Sequence, residues 1–369
     1  MNLGFVDHEH GHAVEIRSDD SFKRYRDDKM RIALVCSHGG HLSDLLFLLE
    51  ALSGHDFFFV TYDSPRTRSL SHRKYFLPNF SEKPAGLLVY PMRTIQILRT
   101  ERPDVIISDG AEIAIPFFYL GKALGIKTVF IESYTRIEQP TITGRLVYPV
   151  SDLFLVFWPE LLPKYGKRTK YWGGLLEFTS LPETARRAKK EELVLVTVGM
   201  HYVGFERLVR KMDEIAGRLG QRVFMQIGST QYRPKNADYV DFLEDKSMKD
   251  YMSKARLVVC QGAMSAVDSI CRGTPVIAVP RLKERGEVIN DHQIAFSRKL
   301  QDLGLVTTVE DIDDLEHAVL QALQTNRQTT NLVSTNARVV SELRRQLDVW
   351  ESLISSIRGF SKDCSPDFK

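Results

Sequence analysis

Short apolar runs alternate with segments of helical spacing from residue 30 onward. IALVC (32–36) precedes HLSDLLFLLEAL (41–52), and PDVIISDG (103–110) precedes IAIPFFYLGKALG (113–125), where Gly125 marks a helix stop. HDFFFVTY (55–62), LLVY (87–90), KTVFIES (127–133) and DLFLVFW (152–158) read as further strands, and a basic stretch at 64–76 breaks the rhythm. Strands apolar on both faces, alternating with helices, predict a parallel sheet covered on both sides.

A polar segment, TSLPETARRAKKEE (179–192), then reads as a linker. After it the alternation restarts. VLVTVG (194–199), RVFMQIG (222–228), LVVCQG (257–262) and PVIAVP (275–280) are predicted strands, and 205–220, 247–255 and 263–273 predicted helices. A last amphipathic helix, 336–357, carries Val339, Val340, Leu343, Leu347, Trp350, Ile354 and Ile357 on one stripe. The expected fold class is α/β: two doubly wound Rossmann-like domains, 30–185 and 186–369, with the working cleft between them. Residues 1–29 are expected to be a polar extension. Its HEHGH could hold a metal, but a disordered tail or a start codon placed too early is the preferred reading.

Composition narrows the function. Hydrophobic residues are 43% and charged residues 26% of 369, which is globular. Basic and acidic residues stand at 50 and 47, too balanced for a nucleic-acid partner. Cys36, Cys260, Cys271 and Cys364 form no CxxC pair, which suits a reducing compartment and argues against a zinc site. The best charge-free run, Leu193 to Phe205, falls short of the roughly 20 residues a membrane span needs. The N-terminus has no apolar core of a secretory signal. A cytoplasmic location is expected, with peripheral membrane contact still open.

The chemistry should lie in the loops after strands. SHGGHLSD (37–44) offers two glycines, Gly39 and Gly40, for close backbone approach, then a helix start that favours anions. His41 there could serve as a general base or be an incidental histidine of a tight turn. SDGAE (108–112) brings Asp109, Gly110 and Glu112, which could bind sugar hydroxyls or cap a helix. IESYTR (131–136) places Glu132 straight after an apolar strand, with Arg136 as its partner or a phosphate contact. In the second half, Gly199 follows a strand, Gly262 opens a helix, and Asp268 lies on that helix's second turn, where a carboxylate suits a ribose diol. PRLKERGEVINDHQ (280–293) ends in Asp291, His292 and Gln293. No DxD stands in the interdomain region to hold a metal–diphosphate.

CSHGGH, the run from PDVIISDG to VFIES, and VVCQGAMSAVDSICRGTPVIAVP together resemble MurG-type inverting glycosyltransferases of family 28. They are most similar to the two-subunit eukaryotic UDP-N-acetylglucosamine transferase that adds the second sugar of dolichol-linked oligosaccharide. Residues 30–178 resemble its membrane-recruiting, acceptor-binding subunit and 193–325 its nucleotide-sugar subunit, fused here as in archaeal members. The resemblance implies a GT-B fold. It implies a donor site at Gly199, Met200, Gln261, Gly262, Ala263, Ser265, Asp268, His292 and Gln293, and an acceptor side at Gly39, Gly40, Asp109, Gly110 and Arg136. Asp268 shortens the family's ribose-binding glutamate, and Gln261 stands where a histidine is usual.

The expected reaction is attack of an acceptor hydroxyl on UDP-N-acetylglucosamine with inversion. His41 is the first choice of base and Glu132 the second. No metal or other cofactor is expected. Arg66, Arg68, Arg73 and Lys74 are expected to touch anionic headgroups near a lipid-pyrophosphate-linked acceptor. The alternatives are a transferase of glucuronic acid or hexoses, a UDP-sugar 2-epimerase, and a non-catalytic UDP-sugar-binding protein.

Overall fold

The computed structural model describes residues 29–79, 89–180, 190–288, 291–324, 332–335 and 337–363. The HEHGH segment, most of the expected linker and half of LLVY lie outside them.

The first half contains β1 (Arg31–Val35), α1 (Gly40–Phe47), β2 (Asp56–Tyr62), α2 (Pro65–Arg68), β3 (Lys74–Leu77), α3 (Tyr90–Glu101), β4 (Val105–Ser108) and α4 (Ala114–Ala123). It continues through β5 (Lys127–Ile131), α5 (Ile142–Val147), β6 (Leu153–Val156), α6 (Leu162–Tyr165), β7 (Thr169–Tyr171) and β8 (Glu177–Ser180). The second half holds β9 (Glu191–Thr197), α7 (Glu206–Ala216), β10 (Arg222–Gln226), β11 (Asp238–Val240), α8 (Asp245–Lys254), β12 (Ala255–Cys260) and α9 (Met264–Ile270). It closes with β13 (Val276–Ala278), α10 (His292–Asp302), β14 (Thr307–Thr308), α11 (Leu315–Gln324), β15 (Leu332–Thr335) and α12 (Ala337–Asp363).

Two parallel sheets result, ordered β3-β2-β1-β4-β5-β6-β7 and β11-β10-β9-β12-β13-β14. The central strands are apolar throughout because helices cover both faces: Ile32 to Val35, Val105 to Ile107 and Val194 to Val196 are all buried. Strand order reverses between β1 and β4 and again between β9 and β12. The crevice for a ligand opens at such a switch point, outside the carboxyl ends of the strands. That topology alone brings the loop after β1 beside the loop after β4, and the loop after β9 beside the loop after β12.

The basic stretch departs from its expected irregularity. Ser64 accepts from the Thr67 amide at 3.2 Å and Thr67 Oγ1 accepts from the Ser64 amide at 3.0 Å, a reciprocal cap that starts α2. KYFL then joins the sheet as edge strand β3, where Lys74 and Phe76 can stay partly exposed. Tyr90 begins α3 rather than ending a strand.

The halves are joined more than once. A single hydrophobic cluster runs from Leu34 and Leu45 of the first half to Val258, Met264 and Phe296 of the second. Tyr134 stacks on Trp158 with ring centres 5.2 Å apart and meets the Phe296 ring edge-on at 5.6 Å. Strands β8 and β15 pair antiparallel, Leu332 opposite Ser180. Helix α12 follows the second sheet in sequence but returns to the first half, where Arg344 donates to the Glu50 carbonyl at 2.5 Å and the Lys127 ammonium lies 5.9 Å from the Trp350 ring centre.

Candidate active site

A cleft of about 590 Å³ lies where the two switch points face each other. Its first-half wall includes Gly39, Gly40, Ser43 and Arg66. Its second-half wall includes Gly199, Met200, Gln261, Ala263, Ser265 and Asp268. The starts of α1 and α9 meet across it. No side chain caps either helix, so their first amides remain available to a ligand. A Cβ on Gly40 would sit 3.4 Å from Met264 Cγ, and Ser43 Oγ stands 3.5 Å from Asp268 Oδ2.

The topology explains His41. It opens α1 after β1, and Asp109 follows β4 on the other side of the switch point. His41 Nδ1 lies 3.0 Å from Asp109 Oδ2. Gly110, at φ +132°, makes this approach feasible, since a Cβ there would stand 2.8 Å from the imidazole Cε1. Asp44, one helical turn after His41, completes the cluster. It is fully buried, and its Oδ2 accepts from Ser133 Oγ at 3.0 Å and the Tyr134 amide at 3.1 Å.

The electrostatics are those of crowded acids around a base. Burial works against the His41 charge, but Asp109, then Asp44 and Glu132, raise its pKa to about 9. Burial raises both Asp44 and Asp109, and Asp109 raises Asp44 further, while His41 lowers both. Two carboxyls at such a site cannot both ionise freely.

Glu132 has a different setting. It is fully buried and accepts from the Thr141 amide at 3.0 Å, Thr141 Oγ1 at 3.1 Å and the Tyr165 hydroxyl. Gly144 packs against the group: a Cβ there would stand 2.9 Å from Glu132 Oε2. Burial raises its pKa, with Tyr165, Thr141 and Arg136 pulling it back. Neither Glu132 nor Arg136 lines the cleft. The carboxylate fastens the loop after β5 to the start of α5.

On the second-half wall, Gly199 has φ +73° and a Cβ there would stand 2.3 Å from Gln261 Nε2, so the loops after β9 and β12 pack directly on each other. Gly262, at φ +72°, has Ser297 of α10 in the same relation. Gln293 does not line the cleft. It is buried and accepts from the Arg281 amide at 3.2 Å. His292 opens α10 beside it and is likewise not part of the cleft wall.

Arg281 is an organiser that sequence reasoning missed. Fully buried, it donates to the carbonyls of Val198 at 3.1 Å, Val203 at 3.0 Å, Gly204 at 2.8 Å and Glu287 at 3.2 Å, and lies 4.6 Å from the Phe205 ring centre. Burial lowers its pKa to about 10. It thereby fixes the glycine loop after β9. Arginine in PRLKER carries no pattern that separates it from its exposed neighbours. Asp44 had a usable signal, its place three residues after His41.

The basic stretch is not a free cationic surface. Arg66 turns into the cleft, donating to the Gly39 carbonyl at 2.8 Å, Ser43 Oγ at 2.9 Å and Asp245 Oδ1 of α8 at 2.9 Å. Arg68 forms two bonds to Asp63, Arg73 pairs with Asp56 and Glu101, and Lys74 donates to the Arg68 and Leu70 carbonyls. Of the four cations expected at headgroups, Arg66 is committed within the cleft, whereas Arg68 and Arg73 are paired but remain exposed and Lys74 is half-buried.

Comparison with known proteins follows the same division. Residues 84–175 match the family of oligosaccharide biosynthesis proteins like Alg14, and residues 193–345 match the glycosyltransferase family 28 C-terminal domain. One chain thus carries an Alg14-like part and a family 28 part. The UDP-N-acetylglucosamine transferase subunit ALG14 of Debaryomyces hansenii is 27% identical over 39% of this chain and 76% of its own. Its counterpart in Homo sapiens is 24% identical over 42% and 86%. The pyrophosphoryl-undecaprenol N-acetylglucosamine transferase of Clostridium perfringens SM101 is 29% identical over 41% of this chain but only 39% of its own length. Among solved structures, Acinetobacter baumannii MurG has TM-score 0.52 at 16% identity, covering 86% of this chain and 99% of that one. Methanocaldococcus jannaschii UDP-GlcNAc 2-epimerase has TM-score 0.59 at 13% identity, covering 87% and 100%. These structures share the two-domain GT-B architecture, which does not by itself separate transfer from epimerisation.

Proposed function

We propose that the chain is an inverting transferase moving N-acetylglucosamine from UDP-N-acetylglucosamine to a lipid-pyrophosphate-linked sugar, with β linkage, in glycan precursor assembly. The union of an Alg14-like part with a family 28 part supports it, because relatives of both parts are named as N-acetylglucosamine transferases. The observation that carries the chemistry is the His41–Asp109 contact at the first switch point, behind Gly39 and Gly40 of the cleft wall rather than in its lining.

In this reading Asp109 holds His41 through Nδ1, which leaves Nε2 for the acceptor hydroxyl. The acceptor oxygen bonds to the anomeric carbon, the bond from that carbon to the UDP oxygen breaks, and the hydroxyl proton passes to His41. Negative charge develops on the departing diphosphate, which meets the amides at Gly262, Ala263 and Ser265 at the start of α9. Asp268 accepts from the ribose hydroxyls, and Gly199 and Met200 bring backbone against the phosphates. His292 and Gln293 support the donor site through α10 and the Arg281 loop. Gly39, Gly40, Gly110 and Arg136 shape the acceptor side. Glu132 is a structural carboxylate in this reading, and no metal takes part in the transfer.

Beside the exposed Arg68 and Arg73, a second surface suits membrane contact. Met92 on α3, Tyr119 on α4, and Ile142 and Leu146 on α5 are exposed apolar side chains on neighbouring helices, with Arg93 and Arg145 beside them. No helix among the described residues is long and apolar enough to cross a membrane. A peripheral enzyme on the cytoplasmic face, with this surface toward the headgroups, fits both facts.

The test is a donor screen. The chain is incubated with radiolabelled UDP-sugars and a synthetic prenyl-pyrophosphate-linked N-acetylglucosamine, and label in the lipid fraction is counted. Label from UDP-N-acetylglucosamine alone supports the proposal. Label from UDP-glucuronic acid or a UDP-hexose would change the donor. Isomerised UDP-sugar without any acceptor would replace transfer by epimerisation.

A further inference from the structure

Far from the cleft, α12 meets the first half at a second group of ionisable side chains. His55 lies in the turn before β2, with its side chain 6% exposed. Its Nδ1 is buried and makes no hydrogen bond, although Glu351 Oε1 stands 3.5 Å away. Asp348, three residues earlier on α12, offers a carboxylate oxygen to the same spot, and the three ligand atoms lie within 4.8 Å of one another.

A buried imidazole nitrogen without a hydrogen bond is costly, and 3.5 Å is a poor hydrogen-bond distance. It is a good ligand–ligand distance. Four ligands at about 2.1 Å from a tetrahedral Zn²⁺ stand about 3.4 Å apart. The i, i+3 spacing of Asp348 and Glu351 puts both carboxylates on one face of the helix. Asp348 is exposed and Glu351 part-exposed, so water can complete the coordination. The backbone on both sides is already held, by the Arg344 bond to the Glu50 carbonyl and by buried Trp350. The other group within ligand distance among the described residues, His41–Asp44–Asp109, already commits His41 Nδ1 to Asp109.

We propose that His55, Asp348 and Glu351 bind a divalent transition-metal ion, best Zn²⁺, that fastens the C-terminal helix to the acceptor half. His55 ligates through neutral Nδ1, the two carboxylates balance the charge, and water fills the remaining position. The site stands apart from the transfer reaction.

The test uses the full chain, stripped with a chelator and dialysed against Zn²⁺. Bound metal is counted by mass spectrometry and unfolding is followed by temperature. The wild type should take up a single Zn²⁺ at this site and gain in Tm. His55→Ala and, separately, Glu351→Gln should lose that ion and the Tm gain, whereas His41→Ala and a triple His8→Ala, His10→Ala, His12→Ala variant should keep both. Glu351→Gln lies at the surface and guards against misfolding of the His55 variant. Uptake untouched by His55→Ala and Glu351→Gln, uptake lost instead in the His41 or triple variant, or no uptake by the wild type would each overturn the proposal.

Discussion

The two walls of the cleft are built from the same topology and solve opposite problems. Behind the first-half wall, His41, Asp44 and Asp109 gather around one switch point, all with displaced pKa values. The second-half wall has glycine turns and an uncapped helix start at the corresponding place, with Asp268 on that helix and Asp245, already paired with Arg66, as its carboxylates. A proton acceptor needs neighbours that tune its basicity. A leaving diphosphate needs fixed dipoles that do not titrate. The same strand order can supply either, because only the loop residues differ.

Substitutions can break this comparison by showing that one wall does the other's work. His41→Ala should have the largest effect, lowering kcat by roughly 10²–10⁴-fold with the KM for UDP-sugar little changed. A loss seen mainly in donor KM would dissolve the division. Asp268→Asn should do the reverse. Losing charge-assisted hydrogen bonds of about 1.5–3 kcal/mol should raise donor KM roughly 10–100-fold and spare kcat in steady-state kinetics.

Asp109→Asn sharpens the acceptor side. With a His41 pKa of about 9, most of the base is protonated at neutral pH, so kcat/KM should climb with pH until about 9. Removing the carboxylate lowers that pKa, and the acid limb should move down toward the ordinary histidine value of about 6.5. An unmoved limb would disconnect Asp109 from the base. Glu132→Gln should cost roughly 1–3 kcal/mol in denaturant unfolding, through unsatisfied donors around a buried site, and move the pH–rate limb down far less than Asp109→Asn does, because its pull on His41 is the weaker one. Smallest of all, Arg66→Ala should leave flotation on anionic liposomes unchanged, whereas Ile142→Glu with Met92→Glu should reduce it.

The central strands and the glycine loops were legible because a buried parallel strand has no polar face to confuse its pattern. Edge strand β3 was not. Lys74 and Phe76 are partly exposed at a sheet margin, and the run reads as polar. The pairing of His41 with Asp109 is invisible in a list of loops and follows only from strand order, with the partners 68 positions apart. Arg66 illustrates the limit most clearly. Its charge is plain in the sequence, but whether a guanidinium meets lipid, solvent or Asp245 depends on what the second half brings to it. Glu132 likewise reads as either paired with Arg136 or functional until Thr141 and Tyr165 are seen to close over it.

The β8–β15 pairing has a mechanical consequence. These are the segments by which the chain leaves the first half and later comes back, and they are hydrogen-bonded to each other. A two-stranded ribbon twists readily but resists being stretched. Together with the apolar cluster and the Tyr134–Phe296 contact that cross between the halves, the ribbon resists their being drawn apart. The spacing of the His41 loop from the Gly262 turn thus depends on a strand pair that neither loop belongs to.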